Sequence, residues 1–330
     1  MRDVAELAGV GTMTVSRVIN GNPNVTEITR KRVLEAIERL NYRPNEIARS
    51  LREQRSRQIG IIVPNINDPF FAICAQAVSL VAREHGYSVN IAMSYEDPEI
   101  EFNEAMIMLQ RHIDGIVAIP SAGSYTRLTE PELSAIPIVT LDRPLAGKRF
   151  DSVVVQNKSG ASIAVQHLIE RGHRRITYLG LSSQLYTIRA RYEGYRQAMT
   201  TAGLRLDVHY GNATQSEMLA TLRALMKLKN APTALFASNN LTTRHALHAL
   251  AELEVRIPET MALVGFDDFE TADILRPAIT VIRQPTTDMG RIGAHLLFSQ
   301  LSPGEGAHEV KKIVLPVELV IRGSSGKHVS

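Results

Sequence analysis

Arg17 lies about one helical turn beyond Thr12 and Met13, in a stretch where Val15, Val18 and Ile19 recur at helical spacing. A guanidinium so placed donates two hydrogen bonds to O6 and N7 of guanine, while Thr12 and Met13 meet thymine methyls or base edges. Thr14, Ser16, Thr26 and Thr29 offer hydroxyls of the right length for phosphate oxygens, contacts that position a protein without reading sequence. Thr26 also suits the cap of a third helix, in which Val33, Ile37 and Leu40 recur at three- and four-residue intervals. Upstream, Val4, Leu7 and Ala8 share one face of a first helix that stops at Gly9. Two short helices pivoting on a glycine form a helix-turn-helix, whose second helix enters the major groove.

A second set of residues suits a different chemistry. Recognition of a polyol or nucleoside needs an aromatic face, plus charged or amide groups that bridge adjacent polar atoms. Phe70 and Phe71 follow one apolar run, Asp142 another, Asn239 a third, and Asp267 ends a fourth. Arg191 opens the segment containing Gly194 and Tyr195, and Gln284 follows a further run. Alternatives compete at two positions: Asp142 has Arg143 beside it, and Arg191 has Glu193 or Glu217 as possible surface partners.

The elements that must position these side chains change character near residue 59. Short apolar runs at 59–64, 89–92, 115–120, 136–142, 152–156, 176–180, 235–238, 263–267 and 280–283 alternate with amphipathic helical patterns. Continuous rather than alternating apolar runs predict parallel strands covered on both faces, and their number predicts two doubly wound lobes. Ligands of such folds bind beyond the carboxyl ends of strands, where the topology reverses. The polar residues just after each run therefore become the candidates.

Composition narrows the class further. The chain has 330 residues, 44% of them hydrophobic, enough for ordinary globular cores. Cys74 is the only cysteine, so an intramolecular disulfide is impossible. With no signal-like leader and no run near the ~20 apolar residues of a membrane span, a cytoplasmic protein is expected, without a membrane partner. Net charge is +3, from 37 Lys and Arg against 34 Asp and Glu. Residues 1–58 hold 11 cations and 7 anions, a net of +4, leaving 26 (37 − 11) and 27 (34 − 7) for the remainder, a net of −1. The positive excess thus sits in the helical head, where phosphate neutralisation uses it. Residues 43–57 are arginine-rich with few apolar side chains. Within them Ala48 and Leu51 share a helical face too small for a core but suited to a minor-groove wedge, with Arg49 and Arg52 flanking it on phosphates.

Catalytic signatures are missing. No Walker loop, Gly-x-Ser-x-Gly elbow or His-Glu-x-x-His helix occurs, so neither an enzyme nor a cofactor is expected. Gly290 and Gly293 lack the strand and third glycine of a dinucleotide site, and His245 with His248 lacks a third metal ligand.

The chain resembles the LacI/GalR family of bacterial transcription regulators over nearly its full length. The resemblance rests on Asp3-Val4-Ala5 through Ile19-Asn20 and on Asn41-Tyr42-Arg43-Pro44-Asn45 through Ser50-Leu51, followed by Asp68-Pro69-Phe70-Phe71, Asp114-Gly115-Ile116, Leu141-Asp142-Arg143-Pro144, Gly172-His173-Arg174-Arg175-Ile176 and Gly265-Phe266-Asp267-Asp268. It implies an all-α helix-turn-helix head (1–42), a hinge helix and linker (43–57), and an α/β periplasmic-binding-protein-like core. The lobes would be 58–156 with 285–313, and 157–284 with 314–330. It further implies a homodimer on a near-palindromic DNA operator, with base contacts at Thr12, Met13 and Arg17, a phosphate contact at Asn45 and the hinge wedge at Leu51. Phe70 or Phe71 would stack on a small-molecule effector, most simply a carbohydrate, whose polar groups Arg191, Asn239 and Asp267 would hold, with Asp142 and Gln284 as further candidates. Repression is the expected outcome, because a bulky dimer clamped on bent DNA blocks polymerase. Three departures stand out. Family members usually carry residues before helix 1, so either helix 1 lacks a side-chain cap or the chain starts elsewhere. Gly11 replaces the usual serine cap of helix 2, and Asn239-Asn240 stands where Asn-Asp is usual.

Overall fold

The computed structural model describes residues 1–19, 21–42, 55–121, 127–145, 150–302 and 309–327. The chain forms two compact units, Met1–Ser56 and Arg57–Ser330.

The first unit is built from helices α1 (Arg2–Ala8), α2 (Thr12–Ile19) and α3 (Glu27–Arg39). Gly9 takes a left-handed φ of 62°, and backbone N–H groups there reach back to Ala5 and Glu6 to end α1. Thr26 caps α3 by accepting from the Thr29 N–H, whereas Met1 gives α1 no side-chain cap. Val4, Ala5, Ala8, Val15, Val18, Val33 and Ala36 make the small core, with Ile19 and Ile37 partly buried against it. Leu7 and Leu40, both expected inside, are 45% and 43% exposed. Small side chains bring the three helices so close that the longer leucines at the edge of each stripe are left outside. Arg32 donates to the Ala8 carbonyl and ties α3 to the end of α1.

The second unit contains two six-stranded sheets. One comprises β1 (Gln58–Val63), β2 (Ser88–Met93), β3 (Gly115–Ala118), β4 (Ile138–Leu141), β5 (Asp151–Val155) and β11 (Lys312–Leu315), in the order β11-β5-β4-β3-β1-β2 and wholly parallel. The other comprises β6 (Ile176–Leu179), β7 (Val208–His209), β8 (Ala234–Ala237), β9 (Ala262–Phe266), β10 (Thr280–Arg283) and β12 (Glu318–Val320), in the order β12-β10-β9-β8-β6-β7. Only the β10–β12 pair is antiparallel. Strands β3, β4, β5, β6, β8 and β9 are buried along their whole length, as their unbroken apolar runs required.

Helices cover both faces: α4 (Pro69–Glu84), α5 (Pro98–Gln110), α6 (Asn157–Glu170), α7 (Tyr186–Thr201), α8 (Gln215–Met226), α9 (Asn240–Glu252) and α10 (Thr286–Leu301). The Gly290–Gly293 spacing serves packing: a Cβ at Gly290 would stand 2.6 Å from the Cys74 carbonyl oxygen, so its absence lets α10 lie directly on α4. The chain passes between lobes after β5, after β10 and between β11 and β12. The last passage falls at Pro316-Val317, so Val314 and Leu315 complete the first sheet, two residues beyond the 313/314 boundary read from the sequence. In each sheet the first strand lies between the second and third, which opens a crevice at its carboxyl end.

Candidate functional site

In the head unit, α2 presents Thr12, Met13 and Arg17 to solvent, with Met13 72% exposed. Val15 and Val18, on the opposite side, hold the helix to the core. Thr14, Ser16 and Thr29 are half-buried and Thr26 is exposed. The Thr26 hydroxyl also donates to Thr29 Oγ1 at 2.9 Å, so its capping role is occupied. Gly11 precedes α2 and accepts through its carbonyl from Thr14 and Val15. Asn45, Ala48, Arg49, Leu51 and Arg52 lie outside the described residues.

In the core unit, all seven cleft candidates line one cavity: Phe70, Phe71, Asp142, Arg191, Asn239, Asp267 and Gln284. Each reaches it from the carboxyl end of a strand or from the helix that follows. Phe70 and Phe71 open α4, which Asp68 caps by accepting from the Phe70 N–H at 2.9 Å. Their rings meet edge to face at 5.4 Å. Asp142 and Asp267 follow β4 and β9 with φ of 63° and 74°. Aspartate is among the few non-glycine residues that visit this left-handed region, and here it turns each carboxylate out of line with its strand.

Arg191 is only 2% exposed, so its charge needs partners. Its Nε donates to Asn157 Oδ1 at 2.7 Å, its Nη1 donates to the Ser238 carbonyl at 2.8 Å, and Asp267 Oδ2 lies 3.4 Å away. The guanidinium also stacks 3.7 Å from the Phe266 ring centroid. The surface alternatives fall away, since Glu193 pairs with Arg196 and Glu217 closes the capping box of α8 with Thr214. Gln284 donates to Asp267 Oδ1, while its own Oε1 is buried without a partner.

Asp142 belongs to a second cluster. Arg143 grips Glu96 with two hydrogen bonds, at 2.6 and 2.8 Å, and reaches the Pro120 carbonyl at 2.8 Å. Asp142 Oδ2 stands 3.5 Å from Arg143, so the suspected pairing exists, yet Oδ1 has no partner. Burial raises the Asp142 carboxyl above the usual carboxylate range, against the pull of Arg143 and Arg191. The guanidinium groups of the cleft are thus held largely by protein acceptors, while the buried Asp142 Oδ1, Gln284 Oε1 and Arg143 Nε make no hydrogen bond. Such a cavity suits a ligand, such as one bearing hydroxyls, that both donates and accepts hydrogen bonds and offers apolar faces to aromatic rings.

Asn239 caps α9, accepting at Oδ1 from the Thr242 N–H at 2.9 Å, while the Thr242 hydroxyl bonds back. Residues that the strand-end reading passed over also matter. Asn157 orients Arg191, Glu96 holds Arg143, and Asn240 donates to Asp68 Oδ1 at 2.8 Å from the opposite lobe. Asp68 and Arg143 both stand inside the motifs quoted above, but their roles depend on partners 172 and 47 positions distant. His245 meets only the Asn212 carbonyl, at 3.4 Å, and no cluster of three metal-ligating side chains occurs among the described residues. Nor is any helix among them long and apolar enough to cross a membrane.

A small helix-turn-helix unit followed by a two-lobed core with a polar cleft between sheet ends defines a ligand-responsive DNA-binding regulator. Comparison with known proteins agrees. Residues 1–45 match the model of bacterial regulatory proteins of the lacI family, and residues 165–325 match a periplasmic binding protein-like domain. The chain is 32% identical to the ribose operon repressor of Halalkalibacterium halodurans, over 98% of this chain and 96% of that one. It is 33% identical to the transcriptional repressor PurR of Haemophilus influenzae, over 98% of each. Among solved structures, the complex of transcriptional regulator CelR with cellobiose shares 32% identity over 98% of each chain, with a TM-score of 0.71. The chain belongs to the lacI family: it is a DNA-binding transcription regulator with an effector-binding core, and not an enzyme.

Proposed function

We propose that this protein is a cytoplasmic, homodimeric repressor whose two heads read a near-palindromic operator and whose cleft takes a carbohydrate effector. Thr12, Met13 and Arg17 read bases, and Thr14, Ser16, Thr26, Thr29 and Asn45 hold phosphates. Ala48 and Leu51 wedge the minor groove between Arg49 and Arg52. Phe70 or Phe71 stacks on the effector, and Asp142, Arg191, Asn239, Asp267 and Gln284 bind its hydroxyls.

One observation carries the effector reading: seven side chains selected from the sequence line a single cavity whose unpartnered polar atoms call for hydroxyls. Sugar hydroxyls supply donors, and the opposite ring face supplies the C–H surface that aromatic residues accept. A ribose operon repressor and a cellobiose complex among the relatives lend weight to this class over the purines suggested by PurR. Dimerisation is supported by exposed apolar side chains on the core, including Ile73 and Leu80 two turns apart on α4 and Ile274 between β9 and β10.

The test is a gel-shift selection of genomic fragments, repeated with ribose, glucose, galactose, cellobiose and hypoxanthine. Arg17→Ala should cost ~1–3 kcal/mol of binding to the selected fragment and relax preference at one base position, while leaving weak general DNA binding. Arg191→Ala should keep fragment binding and lose every ligand effect; a variant that still responds fully removes Arg191 from the site. Leu51→Ala should weaken binding to the selected fragment far more than to random DNA, and equal losses on both would dismiss the wedge.

A further inference from the structure

Two helix N-termini face each other across the cleft. Asp68 caps α4 in one lobe, and Asn240 is the first residue of α9 in the other. Asn240 Nδ2 donates to Asp68 Oδ1 at 2.8 Å, and Asn240 is almost fully buried. Both ends of this contact are built rather than incidental. Asn65 Oδ1 accepts from the Asn67 and Asp68 N–H groups, fixing the loop that carries Asp68. On the other side the Asn239–Thr242 capping box fixes the start of α9. The second amide oxygen, Asn240 Oδ1, is buried with no partner, so the orientation of the amide is set by Asp68 alone. The carboxylate thus sits between two positive helix ends, and burial raises its pKa against the pull of the Asn240 and Phe70 hydrogen bonds.

We propose that Asp68 and Asn240 form a clasp that holds the two lobes closed in the absence of effector. Asn240 is then a positioning residue: it sets how far the unliganded cleft is shut, and hence the conformational work an effector must do or is spared. Asparagine is what makes this possible. Aspartate at this position would set a second carboxylate against Asp68 and drive the lobes apart. A hydrogen bond to a charged acceptor is strong enough to bias such an equilibrium. The consequence for ligand response rests on the effector reading above, but closure itself does not.

Closure is measured directly with nitroxide labels at Ile66→Cys and Ser183→Cys, exposed positions in the cleft-side loops that follow β1 and β6. Cys74 is buried and is spared by the label. Pulsed electron double resonance then gives the distance between lobes without DNA or any ligand, so its outcome is independent of the effector assignment. At pH 8, Asn240→Asp should lengthen and broaden the distance, the closed-to-open ratio falling roughly tenfold, about 1.4 kcal/mol. The reversed pair, Asp68→Asn with Asn240→Asp, should restore the short distance. Folding is kept throughout, because Asn caps a helix as well as Asp and an acid is favoured in a first helical turn. An unchanged distance in Asn240→Asp, or a reversed pair that stays open, overturns the clasp.

Discussion

Asp142 is a carboxylate held where ionisation is costly. Burial raises its pKa in the folded chain, and a raised value means that the folded state binds the proton more tightly than the unfolded one. Above that folded value the group is charged in both states, and its charge then weighs against folding. Asp142→Asn should therefore raise the melting temperature at neutral pH while reducing ligand response, which differential scanning calorimetry with and without ligand would register. A lowered melting temperature would show that Arg143 and Arg191 more than compensate the burial. Strand ends made Asp142, Asn239 and Asp267 legible in the sequence, because a parallel sheet exposes side chains there whatever the ligand. Asn157, Glu96 and Asn240 were not legible. Their importance comes from hydrogen bonds to distant residues, and no local periodicity encodes a partner in another lobe.

Strands β1 to β6 and β8 to β10 were readable because each contains a short apolar run, although Asn90 interrupts β2 and polar residues flank the runs of β5 and β10. The edge strands β7, β11 and β12 were not: β7 has two residues, and β11 alternates between exposed and half-buried positions. An edge needs only one covered face, so its sequence carries half the signal. The head helices were placed correctly, but Leu7 and Leu40 show that periodicity gives a face, not the depth to which each residue sinks. Between β9 and β10 the ends are tied by Asp268, which accepts two hydrogen bonds from Arg283 and two from Arg322. Burial lifts this carboxyl, yet the two guanidinium groups outweigh it and hold the net value below the ordinary aspartate range. A depressed value gives stability that is full above the unfolded pKa of ~3.9 and is lost as pH falls below it. Urea midpoints measured from about pH 6 down to about pH 3 should drop more steeply in the wild type than in Asp268→Asn. Parallel curves would show that the clamp contributes nothing specific to acid stability.

At the scale of the whole chain, charge is divided by unit. Residues 1–58 carry a net +4 and the remainder a net −1, so attraction to DNA is concentrated in about a sixth of the sequence. Operator affinity should accordingly fall linearly on a log–log plot against salt, with a slope of about −0.9 for each phosphate neutralised. Replacing Arg17 should relax base preference at one position, whereas replacing Lys31, an exposed cation of α3 in the basic head, should leave preference intact and reduce the slope. Filter binding at four salt concentrations would separate the two; a slope unchanged by either would place the phosphate contacts elsewhere.

The lobes are interleaved along the chain: the first sheet ends with β11 at Leu315, and the second with β12 at Val320. During synthesis, therefore, neither half of the core can be completed until its last strand, β11 or β12, has left the ribosome. The helical head, whose apolar centre comes wholly from residues 4–42, meets no such delay. The head can thus fold early, while the sensing core, and with it the surface that pairs two heads, is completed last.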